Sequence, residues 1–449
     1  MNYIIDPISP EENRGSFCFL CYYLYAAFVE MDVDDVTLIE NCCFVRDRDK
    51  LARIKSSDYV LVALWSHTQI EFCHLILGKF PQAQFFGYIP LIEAQGLPQY
   101  EIEKHVLHRG MRSYTQYLLD FEHIGACDSD GHIEGRPEVV HVCTKYGCSR
   151  NCSFCPVTPA LQMGVTALTV AQAVRSIDNA MAHDLQAGVH FVDEDFLQNV
   201  QRAKGILEGS SKLTYPPTGY IVLSSVTSVT AFLASFETDE EAFAFCEKHG
   251  LYLIEIGLET ASPSLSTQLG KPSFDWYEEL AERCKDAPFD ILWLTMSLVP
   301  GETLGSIRAT GKFLEKWGLP PERLCPRIRT NGTVGGLGQF FQLYEGTRGY
   351  EKAVQCGAEL SAHPCRLFPS YVPYSLLDDK IGKARAWTEG EIRWLDVYSD
   401  TILMKPGMTV RDIVAPDLEE EDVPVHHLVK RLYAVLVAAR LGIIEGEYA

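Results

Sequence analysis

Apolar runs alternate with helical patterns along most of the chain. From residue 138 onward, short apolar segments predict strands, which lie at 139–142, 188–192, 220–223, 251–256, 291–296 and 325–330. Strands that alternate with helices predict a parallel sheet with helical crossovers. Six such units predict a partial (β/α)6 TIM-like barrel, in which chemistry is expected at the carboxyl ends of the strands.

Helix starts are marked by two capping boxes, Thr169-x-x-Gln172 and Thr238-x-x-Glu241. In such a box the first side chain and the fourth satisfy free amides of the first turn. The helical segments of this region are predicted at 169–182, from after the strand at 188–192 to residue 207, from 238 to Gly250, at 274–285 and at 304–317.

The first 130 or so residues predict a smaller Rossmann-like α/β domain. Its strands are expected at 2–6, 58–64 and 84–87, and its helices at 16–31 and 71–79. A polar segment, Asp128-Ser129-Asp130-Gly131, favours a boundary before the larger domain. We therefore predict domains at 1–133, 134–350 and 351–449, the last a mostly helical extension with a helix near 425–441.

Composition narrows the functions to consider. The chain has 449 residues, a net charge of -21 and 47% hydrophobic residues. Nucleic-acid binders usually carry a basic footprint, so DNA and RNA are not expected partners. Neither a membrane-spanning run nor a signal peptide is evident, which predicts a cytoplasmic protein without a membrane partner. The 15 cysteines are then expected to be reduced, some of them as metal ligands.

One cysteine motif follows the first strand of the predicted barrel. Cys148, Cys152 and Cys155 have the spacing C-x3-C-x2-C. Three thiolates on a tight loop can bind three irons of a cubane cluster and leave the fourth iron open for a ligand. Alternatives are a zinc loop, or a closed cluster with Cys143 as the fourth ligand. The pairs Cys18/Cys21 and Cys42/Cys43 are better explained by burial in the core.

With Phe154 before the last cysteine, the motif resembles that of the radical S-adenosylmethionine (SAM) superfamily. Later segments resemble those of the branch with an N-terminal cobalamin-binding domain, and they are 190–196 (HFVDEDF), 254–262 (IEIGLETAS), 298–303 (LVPGET) and, more weakly, 344–347 (YEGT). The resemblance implies a [4Fe-4S] cluster on which SAM is reductively cleaved. It also implies an external one-electron reductant of the flavodoxin or ferredoxin type.

The resemblance also implies roles for individual residues. Cys148, Cys152 and Cys155 would ligate iron. Asp193 or Glu194 would receive the SAM ammonium through charge-assisted hydrogen bonds. The remaining residues expected around SAM lie at strand ends or beside the last cysteine, and they are Phe154, Ser224, Ser225, Glu259 and Leu298.

The implied function is hydrogen abstraction from a small-molecule substrate by the 5'-deoxyadenosyl radical. Dehydration of a sugar or aminoglycoside diol in natural-product biosynthesis is one specific expectation. The alternatives are a cobalamin-dependent radical methyltransferase and an electron-transfer iron–sulfur protein, and a transfer-RNA-modifying enzyme is disfavoured by the charge.

Cobalamin is disfavoured by the N-terminal domain itself. Tyr88 follows Phe85-Phe86-Gly87, where related domains carry glycines that admit the nucleotide tail of the cofactor. The later glycine-rich segment is reduced to residues 109–113 (RGMRS). We expect a retained scaffold that covers the barrel mouth or shapes the substrate pocket.

Overall fold

The computed structural model describes most of the first 355 residues and four short strands beyond them. The described residues are 2–7, 19–33, 35–42, 47–64, 69–114, 139–157, 165–183, 187–297, 304–318, 339–340, 344–355, 359–361, 370–372, 375–377 and 384–386.

The N-terminal part contains a parallel sheet with the strand order β2-β1-β3-β4. Its elements are β1 (Asn2–Pro7), α1 (Phe19–Glu30), β2 (Val36–Cys42), α2 (Arg48–Ala52), β3 (Tyr59–Leu64), α3 (Ile70–Lys79), β4 (Gln84–Gly87), α4 (Ile89–Ala94) and α5 (Lys104–Ser113). The sheet confirms the predicted α/β domain. Its second strand and three of its helices were not predicted; two of these helices, α2 and α4, have only five and six residues and so carry too few periodic positions to identify.

A second parallel sheet has the order β5-β8-β9-β10-β11-β12. Its strands are β5 (Val139–Val142), β8 (Gly188–Phe191), β9 (Tyr220–Ser224), β10 (Leu251–Glu259), β11 (Asp290–Ser297) and β12 (Gln339–Phe340). A small hairpin of β6 (Lys145–Tyr146) and β7 (Thr166–Ala167) lies beyond β5. The predicted strand at 325–330 lies outside the described residues, and the sixth strand of the described sheet is β12.

Helices connect the strands of the second sheet. They are α6 (Val170–His183), α7 (Val200–Ser210), α8 (Val226–Leu233), α9 (Asp239–Lys248), α10 (Pro263–Gln268), α11 (Asp275–Arg283), α12 (Leu304–Trp317) and α13 (Arg348–Gln355). The capping box before α6 is confirmed: the Thr169 amide donates to Gln172 at 3.0 Å, and the Gln172 amide donates to Thr169 at 3.3 Å. Before α9, Thr238 accepts from the Glu241 amide at 3.3 Å.

The two faces of this sheet differ in their packing. One face joins the main hydrophobic core through residues such as Phe191, Val222 and Ile256. The side chains between them point to the opposite face, since successive strand residues alternate. On that face Ile221, Leu253 and Leu292 form a separate buried cluster. We call it the concave face.

Beyond α13 the described residues form two short antiparallel hairpins. They consist of β13 (Glu359–Ser361) with β14 (Ser370–Val372), and β15 (Ser375–Leu377) with β16 (Ala384–Ala386). The predicted helix near 425–441 lies outside the described residues. Among the helices in the described part of the chain, none is long and apolar enough to cross a membrane.

Candidate cluster and SAM site

The three motif cysteines lie in one loop at the carboxyl end of β5. Cys148, Cys152 and Cys155 are all partly exposed. The Arg150 amide donates to Sγ of Cys148 at 3.4 Å. Burial raises the pKa of all three thiols, to about 12 at Cys155. The thiolate form therefore needs a metal charge beside it, as iron would supply.

The donor set fits an open cluster better than the alternatives. In the described residues, no three His, Cys, Asp or Glu side chains converge as ligands of a single metal ion would. Thiolates of a cubane each bind a different iron, so they need not converge. Cys143 is 2% exposed and its thiol donates to the Lys145 carbonyl at 3.3 Å, so it is engaged in the core. Among the described residues, this leaves Cys148, Cys152 and Cys155 as the candidate cluster ligands.

The cysteine loop is held from two sides by backbone hydrogen bonds. The Ser153 amide donates to the Leu269 carbonyl at 2.9 Å, and the Gly349 amide donates to the Ser153 carbonyl at 2.7 Å. Gly270 has a φ of +74°, and a Cβ there would lie 3.2 Å from the Asn151 carbonyl oxygen. A glycine is needed at this position both for its backbone angle and for the close approach.

Asp193 and Glu194 are adjacent in sequence but differ in their surroundings. The Asp193 carboxylate is fully buried and accepts from the Thr144 amide at 2.6 Å, the Thr144 hydroxyl at 2.6 Å and the Lys145 amide at 2.9 Å. Burial raises the pKa of Asp193, while Arg202 and these donors oppose the shift. Asp193 therefore anchors the segment that leads from β5 into the cysteine loop.

The Glu194 carboxylate is only partly engaged in hydrogen bonds with the described residues. Its Oε2 atom is buried and has no hydrogen-bond partner among the described residues. Burial raises the pKa of the Glu194 carboxyl to about 7, against the hydrogen bond from the Gly147 amide next to Cys148. A buried carboxylate oxygen normally has a partner. Of the two acidic residues, Glu194 is the one that can accept a ligand cation without losing a protein contact.

A polar network connects the cysteine loop to the start of α8. The Asp195 carboxylate is 1% exposed and accepts from the Ser225 and Ser228 hydroxyls at 2.9 and 2.8 Å. Arg150, between the first two cysteines, donates to the Ser228 hydroxyl at 3.1 Å. Ser225 also caps α8, accepting from the Ser228 amide at 3.2 Å. The roles of Arg150, Asp195 and Ser228 were not predicted, because only the fold brings these three residues together.

Ser224 supports a neighbouring segment. Its hydroxyl accepts from the Leu197 amide at 3.0 Å and is buried. The contacts of Ser224 and Ser225 with SAM stay predictions. Leu298 lies outside the described residues, so its predicted adenine contact also stays a prediction.

Glu259 forms a buried ion pair at the end of β10. The Lys271 ammonium lies 2.8 Å from Oε1 of Glu259 and donates to the Gly257 carbonyl at 3.0 Å. It also lies 5.5 Å from the centroid of the Phe154 ring. Burial alone would lower the pKa of Lys271, but Glu259 outweighs it and the pKa is raised. Lys271 was not predicted, since a lysine in a Gly-Lys-Pro turn carries no signal for such a pairing.

Two local features make room for this ion pair. A Cβ at Gly257 would overlap Oε1 of Glu259 and lie 2.9 Å from Nζ of Lys271. Glu259 has a φ of +64°, which is unusual for a residue with a side chain, at an irregularity in the pairing of β10 with β11. The Gly-Leu-Glu segment thus brings a charge pair to the edge of the cysteine loop.

Tyr88, at the carboxyl end of β4, reaches the region of the cysteine loop from the N-terminal sheet. It is fully buried, and its hydroxyl donates to the Glu345 carbonyl. Its ring packs edge-on against Tyr344 with 5.8 Å between centroids. Burial raises the pKa of both phenols, with a smaller effect from nearby Cys155. Two tyrosines therefore lie between the end of β4 and the cysteine loop.

Comparison with known proteins identifies the larger unit. Residues 142–314 match the profile of the radical SAM superfamily. The chain contains a radical SAM domain. No curated protein sequence matches the chain. The matched region includes the cysteine loop, the acidic segment and the Lys271–Glu259 pair.

Two solved structures resemble the radical SAM domain together with the N-terminal sheet. One is OxsB, a cobalamin-dependent S-adenosylmethionine radical enzyme with aqua-cobalamin bound, which has 13% identity, 97% coverage of this chain, 73% coverage of that chain and a TM-score of 0.60. The other is TsrM from Kitasatospora setae, a radical S-adenosylmethionine methyltransferase with cobalamin and a [4Fe-4S] cluster bound. It has 13% identity, coverage of 97% and 99%, and a TM-score of 0.53. At this identity the likeness is one of fold, and it confirms the predicted architecture.

Proposed function

We propose that this chain is a radical SAM enzyme that takes a hydrogen atom from a polar small molecule. A bound [4Fe-4S] cluster would supply one electron for cleavage of SAM to the 5'-deoxyadenosyl radical. The observation that carries the proposal is that three cysteines share one supported loop and that, beside it, a buried carboxylate oxygen of Glu194 has no hydrogen-bond partner among the described residues.

Each group of this site then has a distinct task. Cys148, Cys152 and Cys155 hold the cluster, and Glu194 accepts the SAM ammonium. Lys271 and Glu259 keep a fixed charge pair beside Phe154, which we place against the adenine. Asp193 and Asp195 position the loop through their hydrogen bonds.

Direct hydrogen abstraction is favoured over cobalamin chemistry by the tyrosine contact. Tyr88 and Tyr344 pack together between the N-terminal sheet and the cysteine loop. Cobalamin would need an open space there. Dehydration of a sugar or aminoglycoside diol is one reaction in this class. A cobalamin-dependent methyl transfer is the second candidate, because the fold is that of cobalamin-binding radical enzymes.

The test is an anaerobic assay of the reconstituted protein with SAM, dithionite and a panel of polar metabolites that includes sugar diols. We expect formation of 5'-deoxyadenosine, and transfer of deuterium into it from a labelled substrate. No SAM cleavage by protein with a full cluster would reject the proposal. Methylated product that requires added cobalamin would instead establish the second candidate.

A further inference from the structure

The concave face of the barrel sheet carries three ionisable side chains that the cluster site does not use. His141 lies in β5, His190 in β8 and Glu255 in β10. His141 is paired with His190 in the sheet, and His190 with Ile221 of the concave cluster. Glu255 lies two residues after Leu253 of the same cluster. Side-chain alternation therefore places all three on the concave face.

The His190 side chain contacts the other two across the sheet. Nε2 of His190 lies 3.4 Å from Oε2 of Glu255, although β9 separates their strands. The rings of His141 and His190 have centroids 5.1 Å apart. The His190 and Glu255 side chains are 19% and 17% exposed, so solvent or a ligand reaches them from the concave side.

The position of this group along the strands favours a ligand. Apolar side chains lie beside this group on the concave face: Ile221 and Leu253 are level with His190, and Leu292 is level with Glu255. Toward the carboxyl ends, Gly257 accepts from Lys271 beside the cysteine loop. Barrel interiors of this kind are usually filled by branched apolar side chains, and partly buried ionisable groups are costly without a use. His190 and Glu255 thus lie among apolar side chains, and Glu255 is two residues before Gly257 at the edge where SAM is expected.

We propose that His190 and Glu255, backed by His141, bind a hydroxyl or ammonium group of the substrate. The proposal rests on the proposed function, since it assumes a small-molecule substrate above the concave face. The Glu255 carboxylate accepts hydrogen bonds only, so the recognised group must be an O–H or N–H donor. Burial, with repulsion from His190, lowers the pKa of His141 to about 3, so His141 supports His190 as a neutral ring.

The experiment uses the anaerobic holoprotein with an oxidised cluster and SAM, and three ring-matched probes. These are trans-2-aminocyclohexanol, trans-1,2-cyclohexanediol and cyclohexanecarboxylate. Binding is followed by NMR of isotope-labelled histidine rings, with the His190 signal assigned as the one missing from His190→Gln. We expect the amino alcohol or the diol to shift the His190 signal and the carboxylate to leave it unchanged.

Variants of Glu255 then distinguish an ammonium donor from a hydroxyl donor on the ligand. If the group is an ammonium, Glu255→Gln lowers affinity for the amino alcohol by about tenfold or more, as the loss of a charge-assisted hydrogen bond predicts. If it is a hydroxyl, Glu255→Gln retains the binding of both alcohols and Glu255→Leu loses it. Glu278→Gln, on the exposed side of α11, is the matched control and should bind like the wild type.

Three results would overturn the inference. Probes that leave the His190 signal unshifted, while the wild type holds its cluster and binds SAM, reject the substrate site alone. Equal probe affinity in the wild type and Glu255→Leu does the same, and assigns the contact between His190 and Glu255 to sheet stability. A wild type that holds a cluster but does not bind SAM rejects the proposed function, and this inference with it.

Discussion

The two parallel sheets have the same kind of architecture but differ at their carboxyl ends. The barrel sheet ends in buried charges with defined partners, among them Asp193, Asp195 and Glu259. The N-terminal sheet has an aromatic side chain, Tyr88, directly after β4. Parallel sheets bind ligands at their carboxyl ends, so the buried charges of the barrel sheet support the proposed SAM site there. The carboxyl end of the barrel sheet carries the candidate SAM site, and the carboxyl end of the N-terminal sheet packs against it.

Removal of the cysteines should have the largest effect. Cys148→Ala, Cys152→Ala and Cys155→Ala together should abolish the visible absorbance of the cluster and all SAM cleavage, because the other cysteines that the structure describes are buried outside the loop. Cys143→Ala is the matched control and should keep the absorbance, since this thiol is engaged with Lys145. A triple variant that still cleaves SAM would contradict the assignment.

Substitution of the two adjacent acidic residues should affect different properties, SAM affinity at Glu194 and stability at Asp193. Glu194→Gln should lower SAM affinity by about tenfold or more and leave the cluster intact, because it removes a charge-assisted hydrogen bond of about 1.5–3 kcal/mol. Asp193→Asn should instead lower the free energy of unfolding by about 3 kcal/mol, since it breaks a fully buried charged network. Isothermal calorimetry with SAM and denaturant unfolding give the two measurements. Equal SAM affinity in the wild type, both single variants and the double variant would reject this ammonium site.

The pH dependence of SAM binding sharpens the same contrast. Burial raises the pKa of Glu194 to about 7, so below that pH the carboxyl is protonated and does not attract the ammonium. SAM affinity should therefore increase as the pH rises through about 7, and the slope should disappear in Glu194→Gln. Cluster absorbance recorded at each pH is the control. A slope that persists in the variant would assign the titration to another group.

A methyl group at Gly257 should disturb the charge pair at the barrel edge. Gly257→Ala should cost about 1–3 kcal/mol of stability, because its Cβ would displace Glu259 and Lys271. Lys271→Ala makes room for this Cβ. The double variant should therefore lose less stability than the sum of the losses in the two single variants. Strict additivity in thermal unfolding would contradict the proposed overlap.

The smallest effect is expected at the N-terminal edge. Tyr88→Phe removes the hydrogen bond to the Glu345 carbonyl and should cost about 1 kcal/mol of stability, without a change in cluster absorbance. Wild-type protein produced with cobalamin supplied should contain well under one equivalent of it. Stoichiometric cobalamin would reverse the contrast between the two sheets and favour methyl transfer.

Periodicity along the chain sufficed for most of the larger elements. The strand at 84–87 and the helix at 304–317 were predicted with the bounds that the structure has. The C-x3-C-x2-C spacing also carries its chemistry locally, because all three ligands lie within eight residues. Short helices such as α8 and α10 were not predicted, because one or two turns contain too few periodic positions.

The roles of the charged residues were decided by tertiary structure. In sequence, Asp193 and Glu194 are equivalent acidic neighbours. Only the fold surrounds Asp193 with Thr144 and Lys145, and leaves an oxygen of Glu194 without a partner in the part of the chain that the structure describes. Lys271, in the loop between α10 and α11, pairs with Glu259 at the end of β10, and His190 contacts Glu255 across an intervening strand. Burial and long-range pairing set what an ionisable group does, and neither is a property of the residues next to it in the chain.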